Sequence, residues 1–321
     1  MKKVVAVLRG GPSEEYEVSL KSGAGVLENL DRAKYQPVDI FISRDGVWHR
    51  GGVPMQPAKA LLGVNVAFNV LHGNFGESGA VQKILEALGV RYTGSGIFES
   101  ARAFNKHYTK ETVERAGIRV PRSILIEQDD DVSMRALEIF RTFPMPAMIK
   151  PVTGGSSLGM TLSRDLQSLE SGIHAALLLA PNAVVEEYIR GREASVGVIE
   201  NFRNEKLYAL IPSEIILPQK YDFFNYDAKY GGEVSENCPG NFLEREKRVL
   251  MDFAKRAHEA LGLLHYSRSD FIVSKRGVYF LEANSAAAVG LTKESIFPKA
   301  LQAVGASQRD FLDHVIELVL K

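Results

Sequence analysis

The sequence predicts an α/β protein of more than one domain, opening with a sheet of buried strands. Three observations carry that expectation. The chain has 321 residues, long for a single core. Its first hundred residues read strand, helix, strand, strand, helix, the order of an open α/β unit with ligands at the strand C-termini. Apolar and charged fractions of 45% and 24% are those of an ordinary globular chain.

Val4 to Leu8 is a β-branched run that stops at Gly10-Gly11, as a buried strand does on entering a turn. Val18, Leu20, Val26, Leu27 and Leu30 then recur at roughly helical spacing. Val38–Ser43 and Val64–Leu71 are further strands, the latter running into His72-Gly73. Val81, Ile84, Leu85 and Leu88 follow at i, i+3, i+4 and i+7, one apolar helix face ended by Gly89. A turn, TGSG, and a polar helix from Glu99 to Ala116 lead into a second unit. There Met148–Lys150 and Ala183–Tyr188 are strands, with a Gly/Ser-rich loop, PVTGGSSLGM, between them. From Arg192 the strands lengthen, at Glu193–Glu200 and Leu207–Leu217. The polar, aromatic segment 219–241 lacks periodicity, and a connection of that length is expected to be functional. Leu250 to Leu261 marks a helix, two strands end at Asp270 and Glu282, and Phe311, Val315 and Leu318 form a closing amphipathic helix.

Composition narrows the function classes. Lys+Arg and Asp+Glu balance at 39 each, so no global basic field gathers nucleic acid. No stretch reaches the roughly 20 apolar residues of a membrane span, and the five-residue run before Arg9 is too short for a signal peptide. One cysteine, Cys238, leaves no internal disulfide and no multi-cysteine metal site. A cytoplasmic protein without membrane insertion is expected.

Four constellations carry chemistry. Asp270, Glu282 and Asn284 are hard oxygen donors on two strands that read as a hairpin, and Glu282 and Asn284 share a face. Such a set suits Mg²⁺ beside phosphate oxygens. Any one polar residue at a strand end is unremarkable, but the three together, with Arg268 two residues before Asp270, favour metal. Lys150 and the glycine-serine loop after it supply a charge and free N–H groups for phosphate, without the spacing of a Walker loop. In VVEEYIRGRE, Glu186, Glu187 and Glu193 could accept from an adenine amine and ribose hydroxyls, although a charged loop would look the same. Glu15 near a helix start could hold an ammonium, and His72 follows a strand at the crevice. GxGxxG is absent after the first strand, which disfavours a nicotinamide dehydrogenase. No nucleophile elbow surrounds Ser156 or Ser157, which are better as ligand binders.

In order, GGPSEEYEVSL, HGNFGESGAVQ, YTGSGIFESA with Lys106, IKPVTGGSSLGM, VEEYIRGRE, YDAKY, YSRSDF, LEAN and GLTKESIFPKA resemble the D-alanine–D-alanine ligases of the ATP-grasp superfamily. The matches run from residue 10 to residue 300. The resemblance implies a three-domain ATP-grasp fold: a Rossmann-like N-terminal unit over 1–98, a central unit over 99–188, and a C-terminal unit over 189–321. It implies that Glu15, beside Val18 and close to His72, receives the ammonium of the first D-alanine. Lys106 and Lys150 would contact ATP phosphates, with Glu186, Glu187, Ile189 and Glu193 around adenine and ribose. Ser156 would hydrogen-bond Glu15 and Tyr230, and Lys229 and Tyr230 would belong to a second closing loop. Arg268 would bind the reacting carboxylate, Asp270, Glu282 and Asn284 would hold Mg²⁺ (or Mn²⁺), and Ser295 would bind the second D-alanine. A homodimer is implied as well.

The chain departs from the family where Asn284–Thr292 reads NSAAAVGLT, two residues longer than the usual run and without its proline. The resemblance makes Gly290 the counterpart of the family's oxyanion-hole glycine, and Ser78 stands where the family commonly has aspartate. The expected activity is ATP-dependent formation of D-alanyl-D-alanine for peptidoglycan. The alternatives are a D-alanine–D-lactate ligase, a ligase for another amino-acid pair, and a non-catalytic nucleotide-binding relative.

Overall fold

The computed structural model describes residues 2–156, 158–218 and 235–321. Three sheets organise the described residues. In the first, Lys3–Gly10 lies between Tyr35–Ile42 and Val66–Asn69, parallel to both, and a hairpin of Trp48–Arg50 and Val53–Met55 extends the edge. Alternation sorts its side chains: Val5, Val7, Phe68 and Val70 join one core, while Ala6, Leu8, Ala67 and Leu71 join another on the opposite face. The strand ends open onto Gly10-Gly11 and His72-Gly73. A Cβ at Gly10, whose φ is +89°, would lie 2.2 Å from the Ile42 carbonyl oxygen, so this turn requires glycine.

The second sheet is antiparallel, in the order Ser123–Glu127, Asn182–Glu187, Ala147–Pro151, Thr161–Ser163. Helices Val132–Thr142 and Leu166–Leu177 bury Ala136, Ile139, Leu169 and Ile173 with Ile149 and Val185. The third sheet is antiparallel too, ordered Ser235–Asn237, Ser213–Ile216, Arg192–Glu200, Tyr266–Ser274, Gly277–Ser285, with Leu207–Ala209 pairing on Arg192–Glu200.

Several local expectations change. The predicted strand Leu207–Leu217 is two strands parted at Leu210–Pro212, where a proline withholds the N–H a ladder needs. The polar helix Glu99–Ala116 is two helices, Ile97–Phe104 and Lys106–Arg115. Asn105 stands between them in extended conformation, and its side chain accepts from the N–H groups of His107 and Tyr108 as an N-cap. Asp270 and Glu282 do not end their strands; the hairpin continues for several residues past both.

Packing also ties the units together. Helices 97–115, assigned by sequence to the start of the middle unit, bury Ala103 and Val113 against Val196, Leu250, Phe271 and Phe280 of the third sheet and its covering helix Glu244–Leu261. The closing helix Gln308–Leu320 returns to the first unit, packing Phe311 and Val315 with Val26, Phe68 and Tyr266.

Candidate functional site

A cleft of about 540 Å³ lies among the three sheets, and every described residue singled out from the sequence lines it. Lys229 and Tyr230 lie outside the described residues.

The hairpin supplies one wall. Arg268 and Asp270 are paired in register with Asn284 and Glu282 respectively. Beyond Asp270 the register shifts, so that Phe271 meets Phe280 and Leu281 is the extra residue. The bulge lets Phe280 enter the core while Glu282, two residues on, faces the cleft. Asp270 collects donors: Arg268 Nε at 3.1 Å and Nη2 at 2.8 Å, Ser195 Oγ at 2.6 Å and Asn284 Nδ2 at 2.9 Å. Burial works against the Arg268 charge, but Asp270 outweighs it and Glu282 adds to the effect, so the guanidinium pKa is raised.

The middle sheet and helix Lys106–Arg115 supply the cations. Lys150 is on Ala147–Pro151 and Glu186 on the neighbouring Asn182–Glu187. Lys150 Nζ is 2.9 Å from Glu186 Oε2, and the Lys110 ammonium hydrogen-bonds the other oxygen, Oε1. All three side chains are buried, at 8%, 2% and 4% exposure for Lys150, Glu186 and Lys110. Burial alone would neutralise Glu186, yet Lys110 and Lys150 hold its carboxyl at about 2. Burial pulls Lys110 down to about 8 against the pull of Glu186. Lys150 is buried as well, but Glu186 more than compensates and its pKa is raised. Lys106, at the start of its helix, donates to the Gly154 carbonyl at 2.6 Å, and burial lowers its pKa.

The loop after Lys150 reaches the first unit. Ser156, at φ +52°, donates its hydroxyl to Glu15 Oε1, and Gly155 packs so closely that a Cβ there would lie 2.5 Å from Glu15 Oε2. Glu15 occupies the N-cap position of helix Tyr16–Asn29, where the helix dipole favours a carboxylate. Val18 follows on that helix, and His72 Nε2 is 3.1 Å from Ser22 Oγ. At the far end, Ala286–Ala288 forms one 3-10 turn with Ala286 and Ala287 buried. Beyond it, Ser295 N-caps helix Ile296–Ala303 in position, its Oγ 2.9 Å from Thr292 Oγ1 and within 2.8 Å of where a Gly290 Cβ would be. Ile189 packs on Ile272 and Tyr279 where the middle and third sheets join, and Glu187 is held by Arg276 at 2.7 Å. Glu193 pairs across strands with Ile272 and Ile215.

Two carboxylates and an amide face this set of cations, and no cluster of three His, Cys, Asp or Glu side chains suited to a metal exists among the described residues. Asp270, Glu282 and Asn284 therefore fit an oxygen-loving divalent ion that completes its shell from phosphate and water, not an all-protein cage. Sequence reasoning missed Lys110 and Ser195. Lys110 is four residues after Lys106 on a helix, a signal that was available; nothing in the sequence marks Ser195 as a partner of Asp270.

The D-ala D-ala ligase C-terminus family matches residues 112–317, and the D-ala D-ala ligase N-terminus family matches 4–60 and 51–95. A D-alanine--D-alanine ligase of Syntrophobacter fumaroxidans is 34% identical over 321 residues, covering 100% of this chain and 98% of that protein. One from Desulfotalea psychrophila is 37% identical, covering 99% and 95%. Among solved structures, the VanG D-Ala:D-Ser ligase from Enterococcus faecalis superposes with a TM-score of 0.86 at 30% identity, covering 99% of this chain and 100% of that one. The D-alanine-D-alanine ligase from Coxiella burnetii does so with 0.87 at 25% identity, covering 99% and 94%.

Proposed function

The chain belongs to the D-alanine–D-alanine ligase family, and we propose that its cleft joins two D-alanines at the expense of ATP, through an acyl phosphate, for peptidoglycan synthesis. The observation that carries this reading is the convergence on one cleft of the Glu15 carboxylate, the Lys106 and Lys150 ammonium groups and the Asp270–Glu282–Asn284 hairpin, each from a different unit.

A carboxylate acylates poorly until it is phosphorylated. Glu15 receives the ammonium of the first D-alanine near Val18 and His72, and Arg268 takes its carboxylate. Lys106 and Lys150 bind the ATP phosphates; Glu186, Glu187, Ile189 and Glu193 surround adenine and ribose. Asp270, Glu282 and Asn284 would hold Mg²⁺ (or Mn²⁺), which when bound neutralises phosphate charge. The second D-alanine, its carboxylate at Ser295, attacks the acyl phosphate with its amine. Arg268 and the N–H of Gly290 stabilise the oxyanion as phosphate departs. Water would hydrolyse the acyl phosphate, so Ser156 closing on Glu15 excludes it. The reading carries with it work in the cytoplasm and a homodimeric state. No described helix is long and apolar enough to cross a membrane.

The test is phosphate release from ATP with Mg²⁺ and D-alanine, L-alanine, D-alanine plus D-lactate, or D-alanine plus D-serine, with products identified by mass. D-alanyl-D-alanine, lost in Arg268→Ala, is the expected product. ATP binding without ligation of any D-amino acid would refute the reading and leave a non-catalytic relative.

A further inference from the structure

Lys110 does not line the cleft, yet its ammonium is one of two that grip the buried Glu186 carboxylate. The other is Lys150, which does line it. Lys150 thus has two claims on one ammonium: Glu186 as the structure stands, and a phosphate oxygen once nucleotide binds. Leaving a carboxylate that is 2% exposed with no counter-ion would be strongly unfavourable. Lys110 removes that obstacle, because it sits on Oε1 while Lys150 sits on Oε2. One cation can leave while the other keeps the carboxylate paired.

Resting on the ligase reading above, we propose that Lys110 is a positioning residue for ATP binding: it holds Glu186 so that Lys150 can hand its ammonium to the nucleotide phosphates. The geometry behind it is built, not incidental. Lys110 lies one turn after Lys106 on helix Lys106–Arg115, whose Asn105 cap sets the start, and the neighbouring Thr109 is tied to the carbonyls of Arg102 and Ala103. Among the charges acting on Lys110, Glu186 acts most strongly, followed by Lys150 and Glu282. Lys106 belongs to the same field, since Glu186, Lys150 and Glu282 act on it too.

A simple loss of positive potential would look different from a loss of this pairing, and a double-mutant cycle separates them. The measurement is ATP affinity by titration calorimetry on the full chain with Mg²⁺, for wild type, Lys110→Met, Glu186→Gln and the double variant. Lys110→Met is expected to weaken ATP at least tenfold in the wild-type background. In the Glu186→Gln background, where no buried charge is left behind, the same change should weaken it less than threefold. Lys110→Arg, which keeps the cation, should recover most of the affinity. Should the methionine variant not fold, Lys110→Gln gives the same comparison, since it too removes the charge. An equal factor in both backgrounds overturns the handover and leaves only a long-range field. Wild-type protein that fails to bind ATP overturns instead the ligase reading on which this rests.

Discussion

Removing the Ser156 hydroxyl should loosen the loop that spans the cleft without disturbing the core. Ser156→Ala deletes the bond to Glu15 Oε1 and adds no backbone strain, because alanine meets the same cost as serine at φ +52°. The acceptor is a carboxylate 9% exposed, so the bond is of the charge-assisted kind that contributes about 1.5–3 kcal/mol. If catalysis passes through the closed loop, that converts to roughly a 10- to 150-fold fall in kcat/KM for D-alanine. The assay is coupled ADP release alongside dipeptide by mass. ADP formed per dipeptide should rise as water reaches the acyl phosphate, while the thermal midpoint falls by only about 2–4 °C, the shift that a loss of this size gives a chain of this length. In a Glu15→Gln background the serine change should cost less, since the charged acceptor has gone. A loss below threefold, or one undiminished in that background, would refute the latch.

Three further outcomes follow from particular contacts. His265, at φ +66°, accepts the Gly94 N–H through Nδ1 at 2.9 Å and has its pKa lowered by burial, with Glu200 opposing and His258 reinforcing the shift. The unfolded chain then binds a proton near pH 6.5 that the folded one resists, so stability falls as pH drops through that value, by at most about 1.4 kcal/mol per unit. Asparagine tolerates the same backbone, and His265→Asn should flatten melting temperature against pH between 7 and 5; an unchanged slope rules this out. The Tyr266 hydroxyl is fully buried with no partner among the described residues, so Tyr266→Phe should be neutral or stabilising by about 1 kcal/mol in urea unfolding, and a clear loss would count against it. A methyl at Gly290 would sit 2.8 Å from Ser295 Oγ and 3.3 Å from its Cβ. Gly290→Ala should raise KM for the second D-alanine about tenfold by displacing Ser295 while KM for ATP holds; equal changes in both would point elsewhere.

The local signals were legible where one segment carries the whole message. Glycines at the first turn, the apolar face of the last helix and the loop after Lys150 depend on short-range spacing, and each forms where expected. The donor hairpin forms too, but its strands run past Asp270 and Glu282, and the first helix buries Ser19, Ser22 and Gly23 with Val26. Where the message was split between segments, reading along the chain fell short. Nothing local announces that Asn105 breaks one helix into two, since asparagine is tolerated inside helices and caps only if its side chain turns back to His107 and Tyr108.

The order of residues along the chain thus specifies chemistry: which side chains are available, and on which short elements they ride. Tertiary structure alone decided their relations. The register shift beside Asp270 sends Phe280 to the core and Glu282 to the cleft, although strict alternation would put both on one face. Glu186 could be read as exposed beside Glu187 on a charged strand end. Instead it is buried between two lysines, one 36 residues before it and one 76 residues before it. A carboxylate's ionisation and partners are set by what packs around it, and that packing comes from elements far apart in the chain.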